Sequence, residues 1–251
     1  MQYESQFYIL IYINKNICNN WSIGYFIIKC LWYKNYILMG IYFDKCRVIG
    51  SFNWFIICIF HFLFARKIIH FLKVDEKVIN LFMEYISIAI FNCLINIQFE
   101  INSKHLILID KAYILLYISI ASLILHLISC LLIMTILNIG ILRASLSIVI
   151  NSIFNTIIST YILHKLDLPE GSIIYFSKDS LKDWISYLKI AIPGILIAGG
   201  EWLGYEIQGI FAIFISPLAY SGIVNIMNIE IMCFPYITGL NSAISMKVGD
   251  R

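Results

Sequence analysis

The run Ala112–Leu142, AYILLYISIASLILHLISCLLIMTILNIGIL, contains no charged side chain. An α-helix rises about 1.5 Å per residue, so about 20 residues cross the roughly 30 Å hydrocarbon core of a bilayer. The run is too long for one straight crossing, and Asn138 and Gly140 supply a break within it. We therefore expect two membrane-spanning helices joined by a tight turn.

Composition places the whole chain in the same class. Of its 251 residues, 61% are hydrophobic and only 13% are charged, whereas soluble domains carry about 25% charged residues. A water-soluble fold of this size would need more polar surface than these residues supply. The long runs are apolar on every face and do not alternate with period two, so they are not strands of a membrane barrel. The sequence predicts an all-α, polytopic helical membrane protein.

Apolar run lengths predict six membrane-spanning helices and divide the chain. A turn at Ser216-Pro217 separates the last two helices. The helices are expected at 48–65, 78–99, 112–136, 141–163, 185–213 and 217–246. The first run is short, so its helix either begins near Val48 or includes the amphipathic stretch before it. The resulting divisions are an unassigned segment 1–29, a four-helix part 30–165, a polar loop 166–184, and a two-helix part 185–251.

Charge asymmetry predicts the orientation. Lys and Arg concentrate in cytoplasmic loops, and placing the 165–189 loop in the cytoplasm puts most of these residues on that side. Lys45, Arg47 and Lys104 are among the cations that this topology places on the cytoplasmic side. The basic cluster at 66–77 is an exception on the opposite side.

Three segments resemble motifs of the multidrug and toxic compound extrusion (MATE) family. Ile192–Glu206, IPGILIAGGEWLGYE, resembles P-S-x-x-M-x-x-x-E-W-W-x-x-E. Lys34–Lys45, KNYILMGIYFDK, is similar to G-A-K-x-Y-x-x-x-G-I-Y-L-Q-R, which lies between the family's second and third helices. Gly239–Asp250, GLNSAISMKVGD, is similar to G-x-S-x-A-x-S-x-R-V-G-N at the end of helix eight. Leu203 departs from the pattern, since it replaces the second Trp.

The order and spacing of these motifs imply helices three to eight of a twelve-helix fold with two six-helix lobes. The chain would then be an incomplete MATE-type fold. The resemblance implies a secondary antiporter that exports organic cations, drugs or xenobiotics in exchange for H⁺ or Na⁺, with no other cofactor. Its partners would be the lipid bilayer and a small molecule. The coupling ion, the membrane that holds the chain and its oligomeric state stay open.

Two alternatives to a working transporter remain at this point. The first is a truncated remnant without transport activity, because half of the family's helices are missing. The second is a membrane-embedded enzyme, which would need a His/Asp cluster at the cytoplasmic face that the sequence does not offer. The sequence also contains no phosphate-binding glycine loop and no Ser-His-Asp arrangement, so an ATPase or hydrolase is not supported. A net charge of +3, spread over the loops, argues against a nucleic-acid partner.

The sharpest candidates for a site are Glu201 and Glu206, which interrupt an otherwise uncharged segment from Ile190 to Ile229. A carboxylate in hydrocarbon costs about 2.5–3.5 kcal/mol on insertion scales, so it should face a polar cavity, form a pair or be protonated. Five helical residues rotate one carboxylate about 140° from the other. By resemblance, Glu201 matches the family's coupling glutamate and Glu206 its second one.

Other residues are assigned secondary roles. Asn228 and Glu230 are candidates for lining a cavity, and Asn92, Asn96 and Gln98 for hydrogen bonds between helices. Pro193, Gly200 and Gly204 crowd the helix of Glu201, where they allow either close packing or a hinge. Aromatic residues before that helix, Trp184 and Tyr187, are expected to anchor it at the membrane interface.

Overall fold

The computed structural model describes residues 35–71, 76–136 and 142–249. These residues form six α-helices and no strand, which confirms the all-α prediction. The helices are α1 (Tyr36–Phe71), α2 (Glu76–Leu108), α3 (Ala112–Ile136), α4 (Leu142–Lys165), α5 (Trp184–Ile215) and α6 (Pro217–Gly249). A short 3₁₀ helix at Lys178–Leu181 lies in the loop between α4 and α5.

Each predicted helix is found, and α1 begins at Tyr36, so of the two predicted alternatives it includes the amphipathic stretch before Val48. Lys45 and Arg47 therefore lie inside a helix, and their location on the cytoplasmic side remains a prediction. Lys104 likewise lies within α2. For Arg47, hydrogen bonds to Gln98 and Asn102 of α2 satisfy the guanidinium within the helix.

Among the residues that the structure describes, four helices are long and apolar enough to cross a membrane: Tyr36–Lys67, Ile79–Leu108, Ala112–Ile133 and Ser145–Lys165. Large apolar side chains on their outer faces are exposed, among them Leu116 at 60% and Leu131 at 67%. On helices long enough to cross a bilayer, exposed apolar faces of this kind are typical of contact with lipid. The chain is therefore an integral, multi-pass membrane protein. Helices α5 and α6 occupy the positions predicted for the last two spans.

The turns between helices follow from local sequence. Ser216 precedes α6, and its Oγ accepts a hydrogen bond from the Ala219 N–H at 3.1 Å. Pro217 then takes the first helical position, where its missing N–H costs nothing. The predicted break at Asn138 and Gly140 lies outside the described residues, with α3 ending and α4 beginning on either side of it.

The described chain divides into two compact units, one up to Ile195 and the other from Leu196 onward. Within the first unit, α2 packs against α4 and α1, and α3 packs against α4. The beginning of α5 joins a core with α1, in which Tyr187 and Ala191 lie among Met39, Phe43 and Cys46. The predicted lobe division at 166–184 remains a prediction, and the predicted segment 1–29 lies outside the described residues.

Candidate functional site

Both glutamates of the predicted site lie on one helix. Glu201 is within about 2 Å of the midpoint of α5 along its axis, and Glu206 is about 10 Å from it, at 1.5 Å per residue. The backbone of α5 is helical through both positions, so the two positions are separated by the predicted rotation of about 140° around the helix axis. Their side chains lie outside the described residues.

The predicted hinge residues lie on the same helix. Pro193 is inside α5 and exposed, two residues before the boundary between the units at Ile195. A proline within a helix removes one backbone hydrogen bond, so the helix is weakest at this point. Apart from the adjoining residues and backbone of α5 itself, no atom of the described residues lies within 4 Å of a Cβ placed at Gly200 or Gly204. The close packing predicted there therefore remains a prediction.

The two candidate cavity residues lie on α6. Asn228 and Glu230 are both exposed in the described chain. Two residues apart on a helix, they are rotated by about 160° relative to each other. A single small cavity would therefore not receive both side chains from a regular helix, and their roles remain predictions.

The first unit contains a polar site that the sequence analysis did not single out, centred on Asp44. This residue is 2% exposed, and its carboxylate accepts three hydrogen bonds from the loop between α4 and α5. Phe176 N–H donates to Oδ1 at 2.9 Å, while Ser177 N–H and Ser180 Oγ donate to Oδ2, each at 2.7 Å. We call this arrangement the Asp44 clamp.

Further contacts hold the same loop on α1. Gly40 of α1 lies so close to Gly171 that a Cβ there would overlap the Gly171 carbonyl oxygen. Gly171 has φ +82°, a left-handed conformation that glycine adopts without steric cost. Trp184 Nε1 donates to the Ser180 carbonyl at 2.9 Å, which ties the loop to the first turn of α5.

Tyr187 continues this contact one turn further along α5. It is 2% exposed, and its hydroxyl lies 3.2 Å from Cys46 Sγ on α1. The predicted role of Tyr187 as an interfacial anchor is therefore wrong, because the ring belongs to the core. Trp184 is half-buried and hydrogen-bonded within the protein.

Arg47, one turn after Asp44, connects three helices. Its guanidinium donates to Gln98 Oε1 at 3.0 Å and to Asn102 Oδ1 at 2.7 Å. Asn102 in turn donates from Nδ2 to Ser159 Oγ at 3.0 Å and to Thr160 Oγ1 at 2.8 Å, both on α4. Hydrogen bonds to a charged group are stronger than neutral ones, so this network fixes α1, α2 and α4 relative to one another.

Arg47 also contacts the loop between α4 and α5. Its guanidinium carbon lies 4.9 Å from the centre of the Tyr175 ring, a distance at which a cation is attracted to the face of the ring. The Arg47 network and the Asp44 clamp thus act on adjacent loop residues. Together they join this loop to the helices of the first unit.

Helix α4 presents a row of small polar residues to its neighbours. Ser152 Oγ donates to Asn96 Oδ1 at 3.3 Å, Thr156 Oγ1 donates to the Ile95 carbonyl at 3.1 Å, and Ser122 Oγ donates to Asn151 Oδ1 at 2.8 Å. Such bonds between helices stabilise packing in a bilayer by about 1 kcal/mol each. The predicted interhelical roles of Asn96 and Gln98 are confirmed.

The charged residues near the beginning of α1 carried a signal in the sequence. Asp44, Lys45 and Arg47 directly precede the uncharged run that begins at Val48, a position typical of the membrane–water interface. What the sequence did not reveal is that a loop more than 130 residues later returns to this point. No group of His, Cys, Asp and Glu suited to hold a metal ion occurs among the residues that the structure describes.

Comparison with known proteins gives one match. Residues 31–132 match the family model described as MatE. This segment contains α1, α2 and nearly all of α3, including Gly40 and the Asp44 clamp residue. The comparisons with curated proteins and with solved structures gave no match.

Proposed function

We propose that the chain functions in secondary antiport, because residues 31–132 match the family model described as MatE, whose members are membrane transporters and not enzymes. In this proposal an organic cation, drug or other xenobiotic leaves in exchange for H⁺ or Na⁺. The family match carries the proposal. The four long apolar helices of the first unit support it, because they provide the multi-pass architecture that such transport requires.

Glu201 is the proposed coupling residue. It is the more central of two acidic residues on a helix that is otherwise uncharged from Ile190 onward. An ionised carboxylate near the middle of a bilayer is costly unless a cation or a proton neutralises it. A coupling ion and a cationic substrate would therefore compete for the same carboxylate. Glu206, about two turns from the midpoint, is the second candidate.

Exchange also requires that the carboxylate be exposed to each side in turn. Secondary transporters achieve this by moving one bundle of helices relative to another around a site near the midplane. The position of Pro193, next to the boundary between the two units, supports a hinge in α5. In this scheme the Asp44 clamp and the Tyr187 contact hold the first turns of α5 on the first unit, while the helix beyond Pro193 moves.

The test is substrate efflux from proteoliposomes against an imposed pH or Na⁺ gradient, with ethidium as the probe. Glu201→Gln retains size and hydrogen bonding but removes the ionisable group, so coupled efflux should be lost. Glu201→Asp should retain part of the activity. Glu170→Gln is the matched control, because Glu170 is an exposed glutamate in the loop and its neutralisation should leave efflux unchanged.

Wild-type efflux by Glu201→Gln at equal reconstitution would remove this residue from the mechanism and leave Glu206 as the next candidate. A complete lack of efflux by the unsubstituted chain would instead favour the alternative, a remnant without transport activity. The two outcomes are distinguishable because the first requires an active parent protein.

A further inference from the structure

Phe176, in the loop between α4 and α5, combines two unusual properties. Its side chain is 91% exposed, the highest value among the exposed large hydrophobic residues of the described chain. Its φ is +56°. A bulky residue with positive φ is a genuine outlier, and such strain costs about 1–3 kcal/mol. The other two non-glycine residues with positive φ, Asp110 and Asp183, are of a type that tolerates this conformation far better.

The Asp44 clamp holds this conformation. The carboxylate accepts hydrogen bonds from the backbone N–H groups of Phe176 and of the next residue, and Asp44 itself is buried. The contact therefore fixes the backbone while the ring points away from the protein. A strained backbone thus holds an apolar side chain outside the core, which indicates that the side chain contacts a partner.

The position of the loop identifies that partner. The span Tyr36–Lys67 in α1 is about 48 Å long at 1.5 Å per residue, which exceeds the roughly 30 Å hydrocarbon core by about three turns. The charged residues Asp44, Lys45 and Arg47 lie in the first turns of this span, within the length of helix that exceeds the thickness of the hydrocarbon core. The clamped loop therefore lies at the level of the lipid headgroups, directly beside the first spanning helix.

The exposed apolar surface continues from the loop into α5. Leu181 is 60% exposed and Ile185, in the first turn of α5, is 73% exposed. Exposed Lys178 precedes Leu181, and Lys182 follows it, so long cationic stems border the apolar residues. Aromatic and apolar side chains flanked by lysines are typical of segments that lie in the interface of a bilayer.

From these observations we propose that the clamped loop is a membrane-interface anchor, in which Phe176 and Leu181 insert into the headgroup region of the lipid bilayer. The partner is the lipid surface next to α1 and α5. The anchor replaces Tyr187 in the interfacial role that the sequence suggested. This proposal does not depend on the transport proposed above.

Site-directed spin labelling of the whole chain in phosphatidylcholine–phosphatidylglycerol vesicles tests the anchor. A nitroxide at Phe176→Cys should collide more with oxygen, which partitions into lipid, than with the water-soluble nickel complex NiEDDA. The reference for lipid is Leu123→Cys, at an exposed position in the middle of α3, and the reference for water is Glu170→Cys. The exposed Cys233 is replaced by Ser, and the signal of the chain without an added cysteine is subtracted.

The proposal expects Phe176→Cys and Leu181→Cys to resemble Leu123→Cys in their preference for oxygen. A Phe176→Cys label as accessible to NiEDDA as the Glu170→Cys label would overturn it. Adding Asp44→Asn should release the loop. The label at 176 should then become more mobile, less accessible to oxygen and more accessible to NiEDDA. Unchanged mobility and depth in that double variant would show that the clamp does not position the anchor.

Discussion

At the scale of single residues, Asp44 illustrates how one buried carboxylate holds the loop between α4 and α5 in position. Its two oxygens receive three donors from the loop, two of which are backbone N–H groups. Leaving such groups unsatisfied is expensive, so the charge stabilises the loop although it is itself costly to bury.

Asp44→Asn replaces one acceptor oxygen with a donor amide, so at least one N–H loses its partner. Loss of a hydrogen bond to a charged group costs about 1.5–3 kcal/mol. The protection of the Phe176 and Ser177 amides against hydrogen exchange should therefore fall by roughly tenfold to hundredfold. Mass-spectrometric exchange in detergent or nanodiscs measures this change.

Asp179→Asn is the matched control for that experiment. Asp179 is an exposed carboxylate in the same loop, and the hydrogen bond from Lys182 at 2.7 Å lowers its pKa. Asp179→Asn removes only the solvent-exposed pair with Lys182, so the protection of the amides at 176 and 177 against hydrogen exchange should not change. Equal loss of protection in both variants would mean that net loop charge, and not the clamp, orders the segment.

At the scale of elements, the packing of the loop on α1 depends on two glycines. Gly40→Ala would place a methyl group against the carbonyl oxygen of Gly171, which is backbone and cannot rotate away. Forcing a methyl group into a filled contact costs about 1–3 kcal/mol. We expect a lower thermal midpoint and faster thiol labelling of a Ser172→Cys reporter, since Ser172 is 1% exposed in the packed loop.

Gly222→Ala, in α6, provides the comparison. Apart from the adjoining residues and backbone of α6 itself, no atom of the described chain lies within 4 Å of a Cβ at this position, and alanine has the better helix propensity. It should leave the midpoint unchanged or raise it. If Gly40→Ala behaves like Gly222→Ala, the loop does not pack on α1 as described.

At the scale of the whole molecule, the positive-inside bias predicts that the loop between α4 and α5 faces the cytoplasm. Glu170 is exposed in this loop, so an impermeant maleimide should label the Glu170→Cys variant in inside-out vesicles and not in intact cells. Ser172→Cys, two residues away but buried, should react slowly from either side. Rapid labelling of Glu170→Cys in intact cells would reverse the orientation.

For the residues that the structure describes, the sequence alone determined the type and approximate position of the six α-helices, because the length of an apolar run is a local property that must match the thickness of the bilayer. It also singled out Glu201 as a candidate, since a charge within such a run is conspicuous without any tertiary information. The tertiary structure decided the roles of Asp44, Arg47, Tyr187 and Phe176. Asp44 and Phe176 are 132 residues apart in sequence, and no periodicity within a helix indicates which distant loop will satisfy a polar side chain at its end.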